Sequence, residues 1–399
     1  MAPRHQRTVG RRTFLAALGG AAVAAPVVAA IGPQALADTP AKRSAAAAGG
    51  GLPLTVVNNS GSFGDDSVHV YIVGNQDGRQ VRVTPDGTLA PIELSDNGAD
   101  GFTDYAIPLA GSGQSLNLPY MSGRIYVSLG EKLKLKAVAD GNGNPALQYP
   151  AGWVSSDPNY PVLHDCVEFT YNASGMYCNT TMVDMFSVPL SIDLTGAAQQ
   201  TTGTVRDGGR AEAFAAVRQI DAFSRLVIDD TRVVAPGHGL DAGLFPQDYY
   251  ASYIDAVWNR YTGQDLQVTT DAGRFTGRVQ GDRLVFTGPA DVSFAKPSTR
   301  DVLFCDGALA APNDGTSGPV AAVLGAGFNR STLLSGTEQP VTDASAFYLD
   351  DITNHYARAM HRVTADGKAY GFAFDDVAGF ASYIEDSAPT GIKVTITAF

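Results

Sequence analysis

The sequence predicts a mainly β protein with an α/β part: a β-barrel or sandwich domain, an inserted mixed α/β domain, and a groove between them. Three observations predict it. From Leu52 to about Leu194, short apolar runs are punctuated by Gly, Asn, Asp and Pro, the pattern of strands and turns. Helical spacing of apolar residues begins only after about Gly203. Strand patterns return at the C-terminus in the style of the first part, which makes the middle region an insertion. The expected division is 1–37 export signal, 38–51 disordered tether, 52–203 with 366–399 β-domain, and 204–365 mixed domain.

The first residues read as an address. Arg4, Arg7, Arg11 and Arg12 precede an Ala-, Val- and Gly-rich run to about Ile31, and Ala35-Leu36-Ala37 offers a small-residue cleavage site. Arg11-Arg12-Thr13-Phe14-Leu15 is similar to a twin-arginine signal, used for proteins exported already folded. Pro26 and Pro33 make the apolar run a poor membrane span. Formal net charge is -12, and removing four Arg with the signal takes it to -12 - 4 = -16. So acidic a surface argues against nucleic acid or anionic membrane as partner and suits a soluble monomer acting on a neutral substrate.

Among the elements, Leu54–Asn58, Val68–Val73, Arg124–Leu129 and Leu133–Lys136 are expected strands. Ala211 to Phe223 sets Phe214, Val217, Ile220 and Phe223 at helical spacing. Pro246 is expected to open a second helix with Tyr249, Tyr250, Tyr253, Ile254, Val257, Trp258 and Tyr261 on its apolar face. Hairpins follow at Leu266–Thr269, Arg274–Val279 and Arg283–Phe286, and a third helix near Ile352 to Val363. Tyr370–Phe374 and Lys393–Ala398 are the returning strands.

The chemistry is sought in Val167-Glu168-Phe169-Thr170-Tyr171-Asn172. As a strand it turns Glu168, Thr170 and Asn172 to one face and Val167, Phe169 and Tyr171 to the other. A turn at Ala173-Ser174-Gly175 is then expected to return the chain as a second strand, Asn179 to Phe186, bringing Asp184 across from Glu168. Two carboxyls so placed suit glycosidic cleavage, in which one donates a proton and the other drives attack. The residues alone fit better a hairpin whose polar residues decorate its solvent face, because Glu and Asp are common there.

These two segments together resemble the signature of glycoside hydrolase family 64, bacterial endo-β-1,3-glucanases that release laminaripentaose, and the likeness runs from about Leu52 to Phe399. It implies a thaumatin-like β-barrel or sandwich, with Gly371-Phe372-Ala373-Phe374-Asp375-Asp376 as a C-terminal strand and a wide groove beside the mixed domain. It implies Glu168 as general acid and Asp184, sixteen positions later, as general base of an inverting hydrolysis. Sugar contacts would fall on Thr170, Asn172 and Thr181. Met176-Tyr177-Cys178 departs from the family pattern, which has a larger aromatic or His-Gly here.

The expected substrate is linear β-1,3-glucan, with no cofactor and no metal. A non-catalytic thaumatin-like glucan-binding protein is the alternative, though a binder has no need of both carboxyls. Trp153, Tyr160, Tyr177, Phe347 and Tyr348 are candidates for stacking on sugar rings, with Trp153 and Tyr177 preferred. No His-Glu-x-x-His, Gly-x-Ser-x-Gly or phosphate loop is present. Cys166, Cys178 and Cys305 are odd in number, so at most one internal disulfide forms.

Overall fold

The structure, a computed structural model, describes residues 51–109 and 114–399. The export signal and nearly all of the tether lie outside the described residues. Two sheets pack face to face around one core. The first runs Gln199–Thr202, Leu190–Thr195, Gly391–Ile396, Leu52–Asn58, Gln114–Leu118. The second runs Tyr383–Asp386, Gly175–Thr180, Leu163–Asn172, Met121–Leu129, Val68–Gln76, Arg79–Val83, Leu89–Pro91, with Ile107–Pro108 also paired to Val68–Gln76. Alternate residues of both sheets, including Leu54, Val56, Val70, Ile72, Ile125, Val127, Val167, Phe169, Ile192 and Val394, fill the space between them. The C-terminal strand is seated between Leu52–Asn58, to which it is parallel, and Leu190–Thr195, to which it is antiparallel.

A second core gathers the helices Gly209–Arg218, Ala251–Gly263, Ser317–Asn329 and His355–Val363. They pack on a sheet ordered Val292–Ala295, Arg283–Thr287, Gly273–Gln280, Leu266–Thr270, Glu338–Gln339. Met182 and Phe186 belong to this second core, whereas Val167, Phe169 and Cys178 belong to the first. The chain therefore crosses from one core to the other within a few residues of the Glu168 hairpin. That crossing is what places Asp184.

Several expected elements are corrected. Leu133 and Leu135 are buried as their alternation demands, but Leu133 N–H donates to the Tyr71 hydroxyl (2.8 Å) and Lys134 N–H to Asn159 Oδ1 (2.6 Å). With those donors taken by side chains, the strand is Lys136–Ala139. The helix expected to reach Phe223 stops at Arg218, and extended Ile220 precedes a separate Asp221–Ser224 turn of helix. The Tyr-rich helix starts at Ala251 rather than after Pro246, and the last helix at His355, where Asn354 Oδ1 caps Ala357 N–H (3.0 Å). Tyr370–Phe374 and the Gly371–Asp376 run are not a strand: the Asp375 carboxylate accepts Gly371 N–H (2.9 Å) and curls the segment into turns. Ser317–Asn329 escaped the sequence reading because it is buried nearly all round and shows no amphipathic period. All three cysteines are free and buried.

The hairpin itself turns through Ala173-Ser174, with Asn172 paired to Gly175, so Met176, Tyr177 and Cys178 lie in the strand. Gly175 has φ of +134°, and a Cβ there would sit 2.2 Å from the Asp386 carbonyl oxygen. Gly175→Ala is expected to destabilise the fold by more than about 1 kcal/mol, read as a lowered urea midpoint with unchanged m.

Candidate functional site

The site begins with register. Glu168 is paired with Arg124 on one side and Asn179 on the other, and directly opposed residues of antiparallel strands project to the same face. Val167, Phe169 and Tyr171 enter the core as expected. The Glu168 face, however, is not open to solvent at that point: Glu168 is 1% exposed. Its Oε1 accepts from Arg124 Nε (3.2 Å) and Nη2 (3.0 Å), and its Oε2 from Asn179 Nδ2 (3.1 Å). Arg124 Nη1 donates to the Tyr126 hydroxyl (3.1 Å).

Asp184 is not on the returning strand. That strand ends at Thr180 and the chain leaves the sheet, because Met182 and Phe186 have their apolar partners in the second core. Three backbone-level ties hold the departing segment: Met182 N–H to Tyr370 O (2.9 Å), the Tyr356 hydroxyl to Met182 O (2.6 Å), and Ala235 N–H to Asp184 O (3.0 Å). Met185–Phe186 then pairs with Val233–Val234. The carboxylate keeps 30% of its side chain exposed and bonds His238 Nε2 through Oδ1 (2.8 Å). Burial works against its charge. The His238 hydrogen bond and the charges of His238 and Arg124 outweigh it and hold the carboxyl below the usual carboxylate range.

Around Asp184 lie two adjoining hollows. One is lined by Arg124, Tyr126, Trp153, Cys166, Thr181 and Asp184. The other lies against Asp184, His238, Phe304, Asn354, Gly371 and Ala373. Trp153 stacks on the His238 ring (4.4 Å between centroids, 22° between planes), and Phe304 meets that ring edge-on (5.6 Å). Asp165, also at the first hollow, is pushed up to about 7 by burial.

The other expected contacts scatter. Thr170 and Tyr177 are paired across the hairpin on the Glu168 face, half-buried, one row out from the carboxylate. Thr170 Oγ1 donates to Ser122 Oγ (3.0 Å), and Tyr177 hydroxyl to Ser174 O (3.4 Å). Thr181 lines the first hollow. Asn172 is exposed at the turn, its Oδ1 accepting Ser174 N–H (2.7 Å). Phe347 and Tyr348 are buried core residues, which removes them as stacking platforms. Arg124, Asn179 and His238 were not singled out from sequence. Asn179 alone carried a usable signal, since it opens the segment that follows the hairpin turn.

A family model described as β-1,3-glucanase, glycoside hydrolase 64, matches residues 50–396. The chain belongs to glycoside hydrolase family 64. This family 64 chain is 34% identical over 369 residues to glucan endo-1,3-beta-glucosidases of Arthrobacter sp. (strain YCWD3) and Cellulosimicrobium cellulans, a match covering 87% of it. It spans 65% of the length of those relatives. Its fold is similar to a laminaripentaose-producing beta-1,3-glucanase solved in complex with laminaritetraose, with TM-score 0.80 and 37% identity over 88% of this chain and 99% of that one. It is also similar to a family 64 beta-1,3-glucanase domain from Clostridium beijerinckii, with TM-score 0.78 and 28% identity over 89% of this chain and 100% of that one. For a family 64 chain, the feature with chemical content is Arg124, which bonds the buried Glu168 carboxyl and lines the hollow beside Asp184.

Proposed function

We propose that this chain is a secreted, monomeric endo-β-1,3-glucanase that cleaves linear β-1,3-glucan with inversion and releases mainly laminaripentaose. Residues 52–203 and 366–399 form the domain carrying Glu168, and 204–365 form the opposing wall. One observation carries the reading: Arg124 connects two carboxyls that sit in different surroundings, bonding Glu168 and lining the hollow onto which Asp184 opens. Glu168 is buried in a cage of donors, whereas Asp184 is half-exposed and kept ionised by His238 and Arg124. Asp184 therefore accepts the proton of an attacking water, and Glu168 gives its proton to the departing glycosidic oxygen. The reaction needs no cofactor. Arg124 bonds Glu168, and its charge also favours ionised Asp184. Thr170, Asn172, Thr181, Tyr177 and Trp153 are the proposed sugar contacts. Export rests on the Arg11-Arg12 signal.

The test is to follow hydrolysis of linear β-1,3-glucan by NMR and by product chromatography. The α-anomer is expected first, with a five-sugar oligosaccharide as main product. A β-anomer emerging first rejects inversion, and absence of reducing ends rejects the enzyme. His238→Ala removes the hydrogen bond and positive charge that favour ionised Asp184, so the acid limb of kcat/KM is expected to move to higher pH. An unmoved limb in the pH–rate profile would separate His238 from the base.

A further inference from the structure

We infer that Asn179 is a positioning residue for the acid carboxyl, holding Oε2 of Glu168 as the oxygen that carries the transferable proton. This rests on the reading of Glu168 as general acid. Oε1 accepts two N–H bonds from the Arg124 guanidinium, which use both of its in-plane lone pairs. A proton on Oε1 would displace a charged donor, so the proton resides on Oε2. Asn179 Nδ2 is the group bonded to Oε2 (3.1 Å), and register fixes it there, since Asn179 stands directly opposite Glu168.

The Asn179 side chain has a second property. It is 1% exposed, and its Oδ1 is buried with no hydrogen-bond partner among the described residues. A buried amide that uses only one of its two ends is able to turn over without giving up a bond at the other. In the orientation described, Nδ2–H donates to the Glu168 carboxylate. Turned over, Oδ1 accepts the O–H of protonated Glu168. One side chain thus satisfies both protonation states of the acid, a service that Arg124, a donor only, cannot give.

The step balances. The O–H turns from Asn179 Oδ1 to the substrate, and the Oε2–H bond breaks as the proton passes to the glycosidic oxygen. The C1–O bond breaks with its electron pair going to that oxygen. Water loses a proton to Asp184 and forms the new C1–O bond. Glu168 is left as a carboxylate, and Asn179 Nδ2–H donates to it. The other groups facing this carboxyl are Arg124 on the neighbouring strand, Tyr126 and Cys166 beside it, Tyr383 across from Asn179, and Asp184, which shares Arg124.

Three variants test the inference. Asn179→Leu is expected to lower kcat on linear β-1,3-glucan about thirtyfold, but less than about threefold on a β-laminarioligosyl fluoride, whose leaving group departs without full protonation. Equal losses on both substrates would mark Asn179 as merely structural and overturn the inference. Asn179→Asp keeps the size and the acceptor, and replaces the donor with a like charge. It is expected to fold as the parent does and to move the basic limb of kcat/KM up by about one pH unit; an unmoved limb overturns the inference. Glu168→Gln, run in parallel, should show the polymer-against-fluoride split more strongly. If Glu168→Gln shows no split, the acid assignment fails and the inference with it. If Glu168→Gln shows it and both Asn179 variants behave as the parent, the inference alone fails.

Discussion

Asp184→Asn is expected to lower kcat on linear β-1,3-glucan about a thousandfold with little change in KM, and Glu168→Gln by a similar factor. The size of the effect follows from where the two groups sit. In Asp184→Asn the amide oxygen still accepts from His238 Nε2, so Trp153, His238 and the cleft wall keep their places. What disappears is a base able to take a proton from water. In Glu168→Gln the amide oxygen still accepts from Arg124 and no proton is available for the leaving oxygen. Binding is left largely intact in both, which is why the loss is expected in kcat. Reducing ends released from the polymer, over a range of concentrations, provide the measurement. Either variant retaining more than about a tenth of parent kcat would remove that residue from the chemistry.

Asp375→Ala is expected to cost about 3–5 kcal/mol of folding stability, read from urea unfolding. Asp375 is fully buried, and its carboxylate accepts from Arg330 Nη2 (3.0 Å), His361 Nε2 (2.9 Å) and Gly371 N–H (2.9 Å). Arg330 is 2% exposed and its guanidinium lies over the rings of Phe347, Phe372 and Phe380. Truncating Asp375 would strand that charge among apolar rings with no counter-charge. Asp375→Asn, which keeps two acceptor contacts, should cost less. The loop concerned also serves the site: Gly371 and Ala373 line the hollow beside Asp184, and Tyr370 O accepts Met182 N–H.

The same cluster sets a pH window. Burial disfavours the Asp375 charge, but His361 and Arg330 outweigh it and hold its carboxyl below the ordinary range. Its stabilising contribution is therefore present above that range and is lost as pH falls through its depressed value. Burial likewise disfavours charged His361, but Asp375 raises it above 6.5. That contribution is fully present below 6.5 and is lost as pH rises through the raised value. The cluster should stabilise most between the two, and Asp375→Asn should flatten both limbs.

How much of this was legible depends on how local the information is. Parity along Val167–Asn172 needs only the two-residue period of a strand, and the apolar residues fell on the core side as the pattern required. The hairpin turn was legible at Ala173-Ser174-Gly175, but the returning strand was expected over Asn179 to Phe186, which put Asp184 on it, whereas it runs over Gly175–Thr180. Leu133–Lys136 shows the same limit: alternation reported burial correctly, while the ladder was decided by Tyr71 and Asn159 far away in the chain.

By itself, the sequence determined the strand-rich character of both ends, the face on which Glu168 stands, and, through the motif, family 64. The tertiary structure decided what surrounds each carboxyl. Arg124 is 44 residues from Glu168, and His238 is 54 from Asp184. The first pair arises from the pairing of two strands of one sheet, and the second only because the chain after Thr180 leaves that sheet to bury Met182 and Phe186 in the other core. Residue type and period describe a segment's own face. The charges and donors brought against that face come from packing, and they set which carboxyl is buried and which opens onto the hollow.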